Sequence, residues 1–137
     1  MKKLLLLTIL SIFLVACGDN EQVDTGNDTA TLNHNFAEFN LDVDYSPTEK
    51  YEVSFEKDVE GFEASIEDQI NNENYNGNEA YDKINPILEK LTFDATTPNE
   101  QVIEEVLSAF GLNSNYAEFE LDVLFSDGTQ KEYRLIK

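Results

Sequence analysis

The sequence predicts an α+β domain, an antiparallel β-sheet in the order β-β-β-α-α-β-β with two helices packed on one face. Three observations carry that expectation. An eleven-residue segment, Asn35-Phe-Ala-Glu-Phe-Asn-Leu-Asp-Val-Asp-Tyr45, recurs as Asn115-Tyr-Ala-Glu-Phe-Glu-Leu-Asp-Val-Leu-Phe125, with seven positions identical. Each copy alternates apolar and polar residues, and a turn signal and a second alternating run follow it. Between the copies lie two stretches whose apolar residues recur at helical spacing.

Taken from the N-terminus, Met1-Lys2-Lys3 is a basic start, and Leu4 to Val15 is an apolar run broken only by Thr8 and Ser11. Leu14-Val15-Ala16-Cys17 then completes the pattern of a lipoprotein signal peptide over residues 1–16. Small Ala16 admits the peptidase, and the Cys17 thiol takes a diacylglycerol and becomes the first residue of the mature chain. Twelve mostly apolar residues are too few to span a hydrocarbon core of roughly 30 Å. The expected arrangement is therefore a lipid anchor at Cys17 on the extracytoplasmic face of the cell membrane. Residues 17–35 are polar, with Val23 and Leu32 isolated, and read as the lipidated cysteine and a flexible tether. Residues 36–137 are left as one modest domain.

Within the domain, Phe39, Leu41, Val43 and Tyr45 share one face of the first strand. Ser46-Pro47-Thr48-Glu49 turns the chain, and Tyr51, Val53 and Phe55 point inward on the return. A third strand is expected over Phe62 to Ile66. A helix from about Asn78 carries Ala80, Ile84, Ile87, Leu88 and Leu91 on one side, and Pro86 inside it should kink it or split it. Thr97-Pro98-Asn99-Glu100 reads as a capping box for a second helix. That helix buries Val102, Ile103, Val106, Leu107 and Phe110 and stops at Gly111. The closing hairpin repeats the first: Phe119, Leu121, Val123 and Phe125 inward, a turn at Ser126-Asp127-Gly128-Thr129, then Tyr133 and Leu135 inward.

Charge narrows the function classes. Removing residues 1–16 takes away Lys2 and Lys3 and no acid, leaving seven basic against 28 acidic residues and a formal charge of −21. Such a chain repels nucleic acid and anionic headgroups. It suits a cationic protein partner or weak divalent-cation binding. Glu38, Asp42, Glu52, Glu118, Glu120 and Asp122 fall on the polar side of the strands and should make the uncovered sheet face acidic.

Catalytic constellations are not assembled. The single histidine, His34, falls in the expected tether, where no scaffold would hold it against a nucleophile. One His and one lipidated Cys do not make a zinc, copper or iron site, and no cofactor is implied. Glycoside hydrolysis needs only two carboxylates, but the chain has no Trp to stack a sugar. Asn72-Glu73-Asn74-Tyr75-Asn76-Gly77-Asn78 places oxygens at alternate positions as a calcium loop does. Its twelfth position, however, is Lys83 rather than a bidentate Glu, so it reads as a polar loop ending in an N-cap at Asn78.

With these elements in view, the chain resembles the YusW-like family of small lipoproteins and exported proteins of Bacillus-type bacteria. Phe36 to Tyr45, Gly77-Asn78-Glu79-Ala80-Tyr81, Val106 to Phe110 running into Tyr116 to Phe125, and Asp127 to Tyr133 carry the resemblance. It covers about residues 36–136 and implies no catalytic or binding residues, since the family has no established activity. The half from Thr97 to Ile136 also looks like PepSY-type modules, exported domains similar to enzyme-inhibitor folds, which is an analogy of fold only. The expected function is a membrane-anchored, non-catalytic binding or accessory module with an extracytoplasmic protein partner. An inhibitor of an exported enzyme is its sharper form, and low-affinity calcium binding through the acidic surface is the alternative.

Overall fold

The computed structural model describes residues 32–137. The expected signal peptide, Cys17 and most of the expected tether lie outside the described residues. Six strands and two helices follow one another as β1 (Phe36–Ser46), β2 (Glu49–Lys57), β3 (Phe62–Asp68), β4 (Glu73–Asn76), α1 (Gly77–Leu88), α2 (Asn99–Phe110), β5 (Glu118–Phe125) and β6 (Gln130–Ile136). All strand pairs are antiparallel, in the order β4-β3-β2-β1-β5-β6.

The α+β class and the order of the expected elements hold, with one strand added. The two copies of the repeat lie side by side at the sheet centre. Phe39 faces Val123, Leu41 faces Leu121 and Val43 faces Phe119. Because Leu41 and Leu121 occupy equivalent places in the repeat, their pairing marks a local pseudo-twofold axis, and hairpins β1–β2 and β5–β6 flank it symmetrically. A bulge between Phe36 and Glu38 shifts the alternation by one, so Phe36 and Phe39 both point inward.

One continuous core fills the covered face. Its sheet side holds Phe39, Leu41, Val43, Val53, Phe55, Phe119, Leu121, Val123 and Phe125. Ala80, Ile84 and Leu88 of α1 pack on it, as do Val102, Ile103, Val106 and Leu107 of α2. Phe93, in the connection between the helices, is buried and reaches Phe36 (5.3 Å), Phe125 (6.0 Å) and Tyr133 (5.9 Å) between ring centres. That connection is held by Glu105, whose carboxylate accepts the Thr92 N–H and, at 3.0 Å, the Thr92 hydroxyl.

Local chemistry departs from expectation at five places. Residues 73–76 form β4, a short edge strand, where a polar loop was expected. Asp68 makes the preceding turn: its Oδ1 accepts the Ile70 and Asn71 backbone N–H groups, both at 2.9 Å, and its Oδ2 accepts Asn71 Nδ2 at 2.7 Å. The helix then starts at Gly77, not Asn78, because φ of +60° at that glycine turns the strand directly into the helix. Pro86 does not split α1. It is exposed in the last turn, and the i→i−4 pattern resumes at once with Glu89 N–H donating to the Asn85 carbonyl (3.0 Å).

The capping box is also not formed. Pro98 is the N-cap, Asn99 the first helical residue, and no side chain caps the end. Thr97 instead closes a turn with Asp94, its hydroxyl accepting the Asp94 N–H at 3.0 Å. At the other end Gly111 (φ 68°) stops α2 as expected, with Leu112 N–H donating to the Leu107 carbonyl at 2.8 Å. Leu135, expected inward, is 40 % exposed, on an edge strand that has a neighbour on one side only.

Tyr133 is 1 % exposed and its hydroxyl has no hydrogen-bond partner. Such a group carries an uncompensated desolvation cost. Tyr133→Phe should therefore raise the unfolding free energy by about 1 kcal/mol, seen as a higher denaturant midpoint at unchanged slope. Tyr45→Phe should lower it by about 0.5–1 kcal/mol, because the Tyr45 hydroxyl donates to the Asn113 carbonyl at 2.9 Å.

Candidate functional site

The helices cover one face of the sheet and leave the other open. Strand period and register together decide what that open face presents. Running across the strands, Asn74, Glu67, Glu52, Asp42, Glu120 and Arg134 stand opposite one another in a single row. Four consecutive members are carboxylates. Neighbouring strands lie about 4.8 Å apart, and two unit charges at that spacing repel by about 0.9 kcal/mol in bulk-water screening and by several times that at a protein surface.

A flanking row holds Ser65, Ser54, Asn40, Asp122 and Glu132. Ser54 Oγ donates to Asn40 Oδ1 at 2.7 Å. The two rows line a shallow concavity of ≈ 330 Å³, whose floor is the sheet backbone at Leu41 and Val53. Cations stand only at its margins. Lys50 pairs with Asp44 at 2.9 Å, and Arg134 Nε lies 2.9 Å from Glu118 and 3.6 Å from Glu120. Among the described residues no ion pair reaches Glu67, Glu52 or Asp42.

Asp42 is the most perturbed of these carboxyls. Partial burial, a hydrogen bond to Asp44, and the charges of Asp44 and Glu52 push it from 3.8 up to about 6, against the pull of Lys50. The acids are spread along a row rather than converging on a point. Among the described residues no three Asp, Glu, His or Cys side chains gather as metal ligands would.

The six expected acids all lie on this face, in different company. Asp42, Glu52 and Glu120 join the central row, Asp122 the flanking one. Glu118 sits opposite Asp44 and pairs with Arg134, while Glu38 faces Glu56. Glu67 completes the row, and it was legible as an outward position of β3. Its place beside Glu52 was not, because register is a property of two strands.

His34 does not hang in a free tether. Its ring lies 5.8 Å from Phe36 and 5.2 Å from Phe55. Leu32 packs on the core and Asn33 Nδ2 donates to Glu89 at 3.4 Å. The Asn72–Asn78 segment forms no loop of converging oxygens: Asn76 Nδ2 donates to Asn74 Oδ1 at 2.9 Å within β4. No helix among the described residues is long and apolar enough to cross a membrane.

Fold and surface together define a two-layer α+β module with one uncovered acidic sheet face. The family described as YusW-like protein matches residues 37–127, and the chain belongs to it. A curated relative named Uncharacterized protein YusW, from Bacillus subtilis (strain 168), is 32% identical over 101 residues. The match covers 72% of this chain and 70% of that relative. No solved structure matches the chain.

The Asp42 shift has a definite sign. A carboxyl whose folded value lies above its unfolded one binds its proton more tightly when folded, so stability rises as pH falls from about 6 toward 3.8. Asp42→Asn should stabilise the protein at pH 7 by about 1 kcal/mol, a figure reduced for solvent screening of this open site. Subtracting the two stability profiles should isolate a difference that shrinks over that window.

Proposed function

We propose that this protein is a lipid-anchored, extracytoplasmic binding module that has no catalysis of its own and holds a cationic segment of an exported protein on its open sheet face. The observation that carries the reading is the row Glu67–Glu52–Asp42–Glu120. Like charges directly opposite one another on a sheet destabilise it, and a fold that keeps such a row gives up stability for a surface. A cationic chain lying across the strands relieves three repulsions at once and meets a shallow concavity with polar walls. The spread of the carboxylates favours such an extended partner over a single bound ion. The net charge adds long-range steering toward basic surfaces and away from nucleic acid. Inhibition of an exported enzyme is the sharper form of the same role, with the helix-then-hairpin half as its only support.

The anchor part of the proposal rests on Lys2, Lys3, the apolar run and Leu14-Val15-Ala16-Cys17. Metabolic labelling with an alkyne fatty acid should mark the wild-type chain, and Cys17→Ser should abolish the label and release the protein from the membrane fraction.

The binding part is tested by crosslinking on intact cells. The wild type is compared with a face variant carrying Asp42→Asn, Glu52→Gln, Glu67→Gln and Glu120→Gln. One basic exported protein should be captured by the wild type, lost with the variant, and weakened as ionic strength rises. Equal capture by both would end the assignment of this face. Calcium titration at matched ionic strength separates the rival: a melting shift with calcium that the face variant lacks would make the acids a cation surface instead.

A further inference from the structure

The segment entering β1 is fixed by His34 in a way that depends on its protonation state. Nδ1 of the imidazole accepts the Phe36 backbone N–H at 3.3 Å. A ring nitrogen that accepts carries no hydrogen, so this bond selects the neutral ring with its proton on Nε2. Nε2 is buried and has no partner. The ring faces Phe55 edge-on and stacks on Phe36, which holds the turn of chain against the mouth of the core.

We propose that His34 is a pH-operated latch: neutral, it docks Leu32–Asn35 on the domain, and protonated, it releases them. Protonation makes Nδ1 a donor facing the Phe36 N–H donor, and it places a charge in a half-buried site. The charged groups around the ring are Glu89, just past the end of α1, and Lys57, at the end of β2. Glu89 favours the cation and Lys57 opposes it, while burial outweighs both and holds the imidazole below its ordinary 6.5. The Glu89 carboxylate already accepts Asn33 Nδ2 (3.4 Å) and Asn85 Nδ2 (2.9 Å). A cationic ring therefore competes with Asn33 for the acceptor that secures the same segment. The sign is opposite to that of Asp42. With the docked value below the undocked one, docking is complete above 6.5 and is lost as pH falls through the lowered value.

The chain has one histidine, so imidazole-labelled full-length protein in detergent gives a single titrating signal by NMR. Its midpoint should lie below 6.5. Between pH 6.5 and that midpoint, the protection factor of the Phe36 amide against hydrogen exchange should fall by up to tenfold per pH unit and level off below it, as one-proton linkage requires. Glu89→Gln should move the midpoint down and Lys57→Gln should move it up. His34→Phe keeps an aromatic ring and removes the proton, so Phe36 protection should lose its pH dependence. A midpoint at or above 6.5 would overturn the latch. So would Phe36 protection unchanged between pH 6.5 and the midpoint, or charge variants that leave the midpoint in place.

Discussion

The pairing of β1 with β5 is the constraint on which the rest of the structure depends. These strands stand nearly eighty residues apart in the chain, yet they are neighbours at the centre of the sheet. Their contact joins two hairpins that would otherwise be separate ribbons, and a lone hairpin is marginal in water. Once Leu41 meets Leu121, β2 and β6 take symmetric places outside them, and β3 and β4 extend the sheet on one side only. The helices then have a continuous apolar surface to cover, with α1 lying over β3 and β4 and α2 reaching toward β6.

The same pairing makes the acidic face. Both repeat copies alternate Phe, Leu and Val with polar residues, so setting them antiparallel in register aligns core with core. It must also align the residues between them, which brings Asp42 opposite Glu120 and Asn40 opposite Asp122. The apolar row gains burial and the polar row accumulates charge as two sides of one geometric fact. Among the described residues no ion pair reaches Glu67, Glu52 or Asp42 in the middle of the row. Lys50 and Arg134 stand at the margins and pair with Asp44 and Glu118.

Period and punctuation made much of the fold legible. Both hairpins, β3 and α2 follow from alternation, turn residues and a helical stripe ended by Gly111. What was hidden required two segments to be seen together. Glu73–Asn76 is too short and too polar to show a strand period; it becomes β4 only because Asp68 folds the preceding turn back onto β3. Phe93 sits in a stretch without periodicity and is a core residue because of what surrounds it. Thr97 has the right spacing for a capping box, but Asp94 takes its hydroxyl. His34 follows a polar stretch that argues for a tether, and only Phe55 and Glu89, distant in sequence, give it a place. For the open face, each acid was legible as outward, whereas the unbroken row was not, since lateral order is fixed by register.

Burying β1 at the sheet centre also sets when this chain folds. The first strand to leave the ribosome cannot acquire its central partner until Glu118–Phe125 has been made, and long-range strand pairing is slow in any case. Until then the first hairpin has half of a sheet and no closed core, and the chain stays threadable. The export proposed above would gain from that delay: the chain would still be unfolded when it passed the membrane and would close on the far side once both halves of the repeat had arrived.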